Sequence, residues 1–400
     1  MQKLIAHELK LAKRINIAKR QNILMIDSIL LAPYYWALKT RHYLYNHGFK
    51  KVQITDVPTI SLGNITVGGT GKTPHTEMIL RTLLQKENMA GKNIAVLSRG
   101  YKRKTKGFQQ VTLDGTARQF GDEPLQMKKK FPEITVAVDK SRIEGCHFLH
   151  NPEELAASSS AIKCLNKNYP AADLIILDDA FQYRALKPSL SILLVDYHRP
   201  LFKDHLMPLG KLRDLPERIE DADIVIVTKC NKDIDEWEKS RWAEAMGIMS
   251  FDGGKCYGTR QSKKRQYLFF SSIDYCEAKA VFPEGDARFL YSKSLILFSG
   301  IANDRLFYHR LTGDYKILDR MNFPDHHKFS KSDVRKIEAA SKASPTSVIM
   351  TTEKDCQRIR DCKFIPDNLK QKMFYTPIKV VFTQDHETEI FSSILSSIMP

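Results

Sequence analysis

The stretch 59-TISLGNITVGGTGKTPHTEMILRTLL-84 constrains the fold more than any other part of the chain. A β-branched apolar run, 59-TISLG-63, gives way to a glycine-rich turn, and then to Met78, Ile79 and Leu83 at helical spacing. A strand that ends in such a turn and opens a helix presents backbone N–H groups at the positive end of a helix dipole. That arrangement suits phosphate oxygens. The usual spacing, G-x-x-x-x-G-K-[ST], asks for glycine at position 66, which holds Thr66. Gly68 and Gly69 can supply the backbone freedom instead, and Pro74 is compatible with a first helical turn. We therefore expect a nucleotide-binding P-loop made of Thr66, Val67, Gly68, Gly69, Thr70, Gly71, Lys72 and Thr73.

Further short apolar runs recur between helix-like segments: 93–98, 134–139, 173–179, 191–196 and 223–229. Most are continuous rather than alternating, as in strands buried on both faces of a parallel sheet. Several end in Asp, Ser or Lys, at the strand ends where open α/β sheets bind ligands. The fold class expected is α/β, a P-loop NTPase-type doubly wound and mostly parallel sheet. The pattern resumes in 266–272, 294–300, 346–352 and 378–382, with helix-like segments 303–312, 331–342 and 386–398. These suggest a second, smaller α/β domain, with Lys263-Lys264-Arg265 marking the linker. The expected organisation is a basic amphipathic segment at 1–50, a P-loop domain at 51–262 and a smaller domain at 263–400. Within 174-LIILDD-179, Asp178 or Asp179 is the candidate acidic partner for Mg²⁺, alongside the Thr73 hydroxyl; the alternative is that both cap the next helix. In this scheme Lys72 neutralises the β- and γ-phosphates.

Charge is unevenly placed. Of the net +16, residues 1–51 contribute half, with ten Lys/Arg against Glu8 and Asp27. The run 23–38 is apolar but too short for a spanning helix, which needs ~20 residues, and it contains Asp27 and Pro33. Leu24, Ile29, Leu30, Leu31, Tyr34, Trp36 and Leu38, flanked by Lys39 and Arg41, suit a helix lying in the plane of an anionic membrane surface; the alternative is a core helix with a basic tail. No nucleic-acid-binding motif accompanies the charge. Seven scattered cysteines without a C-x-x-C pair argue against a disulfide framework or a zinc site.

Several motifs, taken as a set, are specific: 63-GNITVGGTGKTP-74, 97-LSRGYKRKTKG-107, 121-GDEP-124, 138-VDKSRIEG-145, 178-DDAFQYR-184, 206-LMPLGKLRD-214, 299-SGIANDRLF-307, 323-FPDHH-327 and 351-TTEKD-355. In these the chain resembles the tetraacyldisaccharide 4′-kinase family of Gram-negative bacteria, in which threonine typically stands at the first glycine's place. The resemblance implies transfer of the ATP γ-phosphate to the 4′-hydroxyl of an acylated glucosamine disaccharide 1-phosphate, with Mg²⁺, at the cytoplasmic face of the inner membrane. It implies two α/β domains facing across a cleft and a membrane-contacting N-terminal helix. By motif, Asp122 would be the catalytic base, oriented by His326, with His327 the fallback. Arg213 would stabilise phosphate charge and Asp214 would help hold Mg²⁺, although the family has the longer Glu there. Arg142 would hold the substrate's 1-phosphate. The basic loop 99–106, with Arg99 and Tyr101, would meet the lipid's phosphate or headgroups; a solvated charged loop is the alternative. Ala180 and Tyr183 depart from the family's D-D-G-F-Q-H-R, and Tyr183 is given no catalytic role. Two alternatives stay open: a P-loop kinase for another acceptor, and a switch-type NTPase that transfers phosphate only to water.

Overall fold

The computed structural model describes residues 31–158, 164–301, 303–325 and 327–399. The strands of the larger sheet are β1 (Thr59–Gly63), β2 (Ile94–Ser98), β3 (Gln109–Gln110), β4 (Thr135–Val138), β5 (Leu174–Asp178), β6 (Leu190–Asp196), β7 (Ile224–Thr228), β8 (Met249–Asp252), β9 (Tyr257–Thr259) and β10 (Arg265–Tyr275). Those of the smaller are β11 (Lys279–Ala280), β12 (Ser294–Ser299), β13 (Lys316–Asn322), β14 (Val348–Thr352) and β15 (Met373–Thr376). A last strand, β16 (Ile378–Phe382), returns to the larger sheet.

The large sheet is ordered β3-β4-β2-β5-β1-β6-β7-β10-β9-β8, with β16 added against β10. All pairings from β4 through to β10 on that path are parallel. Strands β1, β2, β4, β5 and β7 are buried at every residue, which is why their sequences are continuous apolar runs without alternation. Strand β1 lies between β5 and β6, so the turn after it opens at the centre of the sheet's carboxyl edge. Helix Lys72–Leu84 follows that turn and buries Ile79, Leu80 and Leu83 against Ile60 and Leu62.

The small sheet runs β11-β15-β14-β12-β13 and is parallel except at β11. Helices Lys331–Ala343 and Glu353–Arg360 cover it, with Ile337 and Ile359 packed on Ile296, Phe298 and Ile349.

The sheets do not divide at residue 262. Strand β10 pairs in parallel with β7 through Tyr267–Phe270, and β16 pairs antiparallel with β10. Lys264 is no linker residue. It bonds the carbonyls of Asp221 and Ala222 and pairs with Asp223 at 3.1 Å, closing the β9–β10 hairpin onto the large sheet. The passages between sheets are 276–278 and Pro377, held side by side by Cys276 N–H donating to Pro377 O at 2.9 Å. After the second passage, helix Asp385–Ser396 packs Phe391 and Leu395 on the core beneath the P-loop helix. Phe391 meets Phe269 edge-on, with ring centroids 5.4 Å apart. Burial of one such ring stabilises by about 2 kcal/mol, so the chain's last helix secures the first domain. A boundary drawn by sequence position cannot register a chain that returns.

Residues 31–46 are helical. Leu31, Leu38 and His42 are buried against the large sheet's loops, whereas Trp36 is 64% exposed and Tyr43 54%. Leu31, Tyr34 and Leu38, read in sequence as membrane-facing, therefore pack on the protein itself. Residues 1–30, including Leu24, Ile29 and Leu30, lie outside the described residues.

Candidate active site

The turn after β1 is braced from three sides. Positive φ falls at Gly68 (115°) and Gly71 (89°), not at Thr66. Thr66 pairs antiparallel with Leu212. Val67 N–H donates to Lys211 O at 2.7 Å, and Arg213 N–H donates to Ile65 O at 2.7 Å. Threonine at the first glycine's place is thus accounted for: the position is extended and pairs as a strand, so no left-handed backbone is required of it. Inside the turn, Asn64 Nδ2 donates to Thr70 Oγ1 at 2.7 Å. From β7, Thr228 Oγ1 donates to Thr70 O at 3.0 Å, and Lys229 donates to Gly69 O while pairing with Asp196 at 2.5 Å. Val67, Gly68 and Gly69 stay exposed at the tip. Anchors are buried and the tip is open, as a backbone cradle for an anion requires.

His75 ties the first helical turn to β10. Its Nδ1 lies 2.7 Å from Gly71 O and its Nε2 lies 2.9 Å from Ser271 Oγ. The carbonyl can only accept, so Nδ1 carries the proton. Burial pushes the imidazole down to about 4, aided by the charge of Lys229, so it is neutral at ordinary pH.

Beside the cradle, charges converge. Lys72 Nζ lies 3.7 Å from Asp179 Oδ1, and Arg213 Nη2 lies 3.2 Å from the same atom. Arg213 also donates to Asn64 Oδ1 at 2.5 Å. Asp178 accepts from Thr76 Oγ1 at 3.3 Å and Ser98 Oγ at 3.2 Å. Burial raises the Asp178 carboxyl to about 6, and the nearby charges of Glu123 and Asp179 add to that. Two carboxylates are thus crowded at the end of β5.

Asp122 opens helix Asp122–Lys130, which lies between the two sheets. Gly121 before it has φ 95°, and a Cβ there would meet Tyr101 O at 3.1 Å, so glycine lets the 99–106 loop lie against this turn. Asp122 Oδ2 accepts from Arg358 Nε at 3.3 Å. Arg358 also donates to Gly300 O at 3.1 Å and to Asp355 at 2.9 Å. Lys354 pairs with Glu123 at 2.9 Å, and Lys130 joins Glu77 at 2.6 Å to Glu353 at 2.8 Å. A line of ion pairs thus connects the P-loop helix, the Asp122 helix and a helix of the small sheet. His327 abuts this line, because a Cβ on Gly300 would stand 3.3 Å from His327 Cβ.

Two of the expected site residues, Asp214 and Arg142, are buried and engaged within the protein. Asp214 is fully buried, with Oδ1 2.6 Å from His42 Nε2 and Oδ2 3.5 Å from Arg218 Nε. Burial alone would raise its carboxyl, but the hydrogen bonds from His42 and the Leu215 N–H, with the charge of Arg218, outweigh that and hold it low. The carboxylate is held in this network of His42 and Arg218. Arg142 is 2% exposed and donates to Asp139 O at 2.6 Å and Asp178 O at 3.0 Å. It braces the end of β5 from inside. His327 Nε2 lies 2.9 Å from Asp333, and its ring stacks on Phe323; His326 lies outside the described residues. Arg99 and Tyr101 are exposed on a loop whose Arg103 is turned back onto Gly107 O. Sequence reasoning passed over His75, Ser98, Lys229 and Arg358. Of these, Ser98 and Lys229 carried a signal, as polar residues at the carboxyl ends of strands.

A family model described as tetraacyldisaccharide-1-P 4′-kinase (LpxK) matches residues 25–396. The tetraacyldisaccharide 4′-kinase of Phocaeicola vulgatus is 39% identical over 373 residues, covering 91% of this chain and 93% of the relative. That of Flavobacterium johnsoniae is 34% identical over 359 residues, covering 90% and 92%. The crystal structure of the "apo" form of LpxK from Aquifex aeolicus in complex with ATP superposes with a TM-score of 0.64 at 27% identity, covering 95% of this chain and 99% of that one.

Proposed function

Because the chain belongs to the tetraacyldisaccharide-1-P 4′-kinase family, we infer from its own geometry how its residues divide the work. It is an ATP-dependent kinase that phosphorylates the 4′-hydroxyl of tetraacyldisaccharide 1-phosphate in lipid A biosynthesis. The observation that carries the assignment of roles is the convergence of Lys72 and Arg213 on one oxygen of Asp179, beside the exposed turn at 67–69. Two cations from separate segments mark where phosphate charge is received. Phosphoryl transfer places charge on equatorial oxygens and asks the protein chiefly for position and electrostatics. The turn 66–71 binds the phosphates, Lys72 neutralises them, and Arg213, held by Asn64, meets the transferred group.

Thr73 and Asp178, with Asp179 beside them, would hold Mg²⁺. When bound, that ion supplies neutralisation of the phosphate oxygens. Asp122 accepts the proton of the acceptor hydroxyl. Its place on a helix tied by Lys130 to the P-loop helix and by Arg358 to a helix of the small sheet supports that role. The Arg358 guanidinium fixes the carboxylate's orientation, and the family motif gives His326 the same duty. No described helix is long and apolar enough to cross a membrane. The exposed Trp36 and Tyr43, with Lys39, Lys50 and Lys51 nearby, support attachment at an anionic membrane surface, which we assign to the cytoplasmic face of the inner membrane.

The test is transfer of label from γ-labelled ATP to tetraacyldisaccharide 1-phosphate in detergent, with Asp122→Ala alongside. Labelled lipid that is lost in the variant supports acceptor and base together. ATP hydrolysis without labelled lipid overturns the acceptor, and unchanged turnover in Asp122→Ala overturns the base.

A further inference from the structure

Residues 31–46 do more than cover the large sheet. Their inner face is bonded to both loops that carry the phosphate-facing charges, 179–184 after β5 and 213–218 before β7. Tyr34 Oη donates to Arg213 O at 2.7 Å, and Arg41 Nη2 donates to Gln182 O at 2.8 Å. Between these contacts lies His42, only 6% exposed. Arg184 Nη1 lies 2.8 Å from His42 Nδ1, and Asp214 Oδ1 lies 2.6 Å from His42 Nε2. A guanidinium does not release its protons, so Nδ1 must accept, and the ring's one proton sits on Nε2 and is donated to Asp214. The neutral imidazole therefore joins a cation on one loop to a carboxylate on the other in a fixed direction. Asn46 Oδ1 accepts from Arg184 Nη2 at 2.7 Å, and Arg218 donates to Phe181 O at 3.1 Å while lying near Asp214. Every bond in this chain ends on a residue adjacent to, or within a few positions of, Arg213 or Asp179.

We propose that this helix is a positioning element of the kinase: through His42 and Tyr34 it fixes the two loops that place Arg213 and Asp179 beside the P-loop. The proposal rests on the kinase reading above. It gives the segment that carries the exposed Trp36 and Tyr43 a direct mechanical tie to the transferred phosphate. A misplacement of the order of 1 Å at such a group lowers turnover strongly.

The experiment is a double-mutant cycle on the full chain, with the lipid acceptor in detergent, measuring kcat and the KM for ATP. His42→Phe keeps a ring of similar volume and removes both hydrogen bonds. We expect it to lower kcat about 10-fold, with KM for ATP changed less than about 2-fold. His42→Gln, which offers an amide donor and a carbonyl acceptor, should recover most of the loss. In an Arg213→Ala background, His42→Phe should cause no further fall, because its effect passes through Arg213. Equal fold-losses in both backgrounds, or an unchanged kcat in His42→Phe, overturn the proposal. If His42→Phe does not fold, Tyr34→Phe, which removes one hydroxyl, takes its place in the cycle with the same two readings. A parent protein that labels no lipid overturns the kinase reading and this inference with it; an active parent with additive losses overturns the positioning role alone.

Discussion

Acidification should release the P-loop helix from strand β10, and His75 is the group through which it acts. The neutral ring donates from Nδ1 to Gly71 O and accepts at Nε2 from Ser271. Burial holds it at about 4, against 6.5 for the ordinary imidazole. A depressed folded value means that the unfolded chain binds the extra proton first. The stability this neutral ring contributes is therefore complete above pH ~6.5 and lost as pH falls through about 4. At 1.36 kcal/mol for each tenfold change, the full loss is about 3 kcal/mol, of which about 2 kcal/mol has gone by pH 5. The charged ring would also meet Lys229, which already pushes the proton off. The perturbation is His75→Gln, which keeps a donor and an acceptor but cannot titrate. Urea denaturation of both proteins at pH 7.5, 6.5, 5.5 and 5.0 provides the assay, and the difference between them isolates His75 from the other acidic and histidine groups. The native protein should lose about 2 kcal/mol more than the variant between pH 7.5 and pH 5. Parallel pH profiles for the two would refute the reasoning.

Three other outcomes are expected. Lys72→Ala and Asp122→Ala should each lower kcat by ~100-fold or more, from lost charge stabilisation and lost proton acceptance, in the lipid-labelling assay. Lys130→Met removes the nearest cation from Glu77, a carboxylate 4% exposed whose group burial already raises, and leaves it only Arg81 at 3.6 Å and Gln126 at 3.5 Å. Lys130 is itself 19% exposed, so the cost should be about 2 kcal/mol rather than the larger figure of a fully buried pair. Adding Glu77→Gln should restore most of it in thermal melts, and a Lys130→Met protein as stable as the parent would count against the pairing. Removing residues 1–22 should weaken binding to anionic vesicles in a salt-sensitive way, about 1 kcal/mol for each basic residue near the surface. Partitioning that ignores salt would exclude an electrostatic anchor.

Local chemistry was legible in the residues. A strand, a glycine turn and Lys72-Thr73 specify a phosphate cradle, because the geometry of each step is set by neighbours in sequence. Apolar runs without alternation specify buried parallel strands, and the runs ending at Ser98, Asp139, Asp178 and Lys229 put polar groups on one edge of the sheet. The motifs that identify the family follow from the same short segments. Contacts across long separations were not legible. Nothing near position 214 indicates that His42 will take its carboxylate, nor does anything near 142 indicate that the guanidinium will be sealed under β5. Nothing near 265 shows that β10 will extend the first sheet, nor that β16 will rejoin it after the chain has left. The physical reason is common to all three. A charged side chain takes the role left to it by its burial and its partners, and those are set by which loops the sheet order brings together. Sequence fixed which groups could bind phosphate; tertiary packing decided which of them face it.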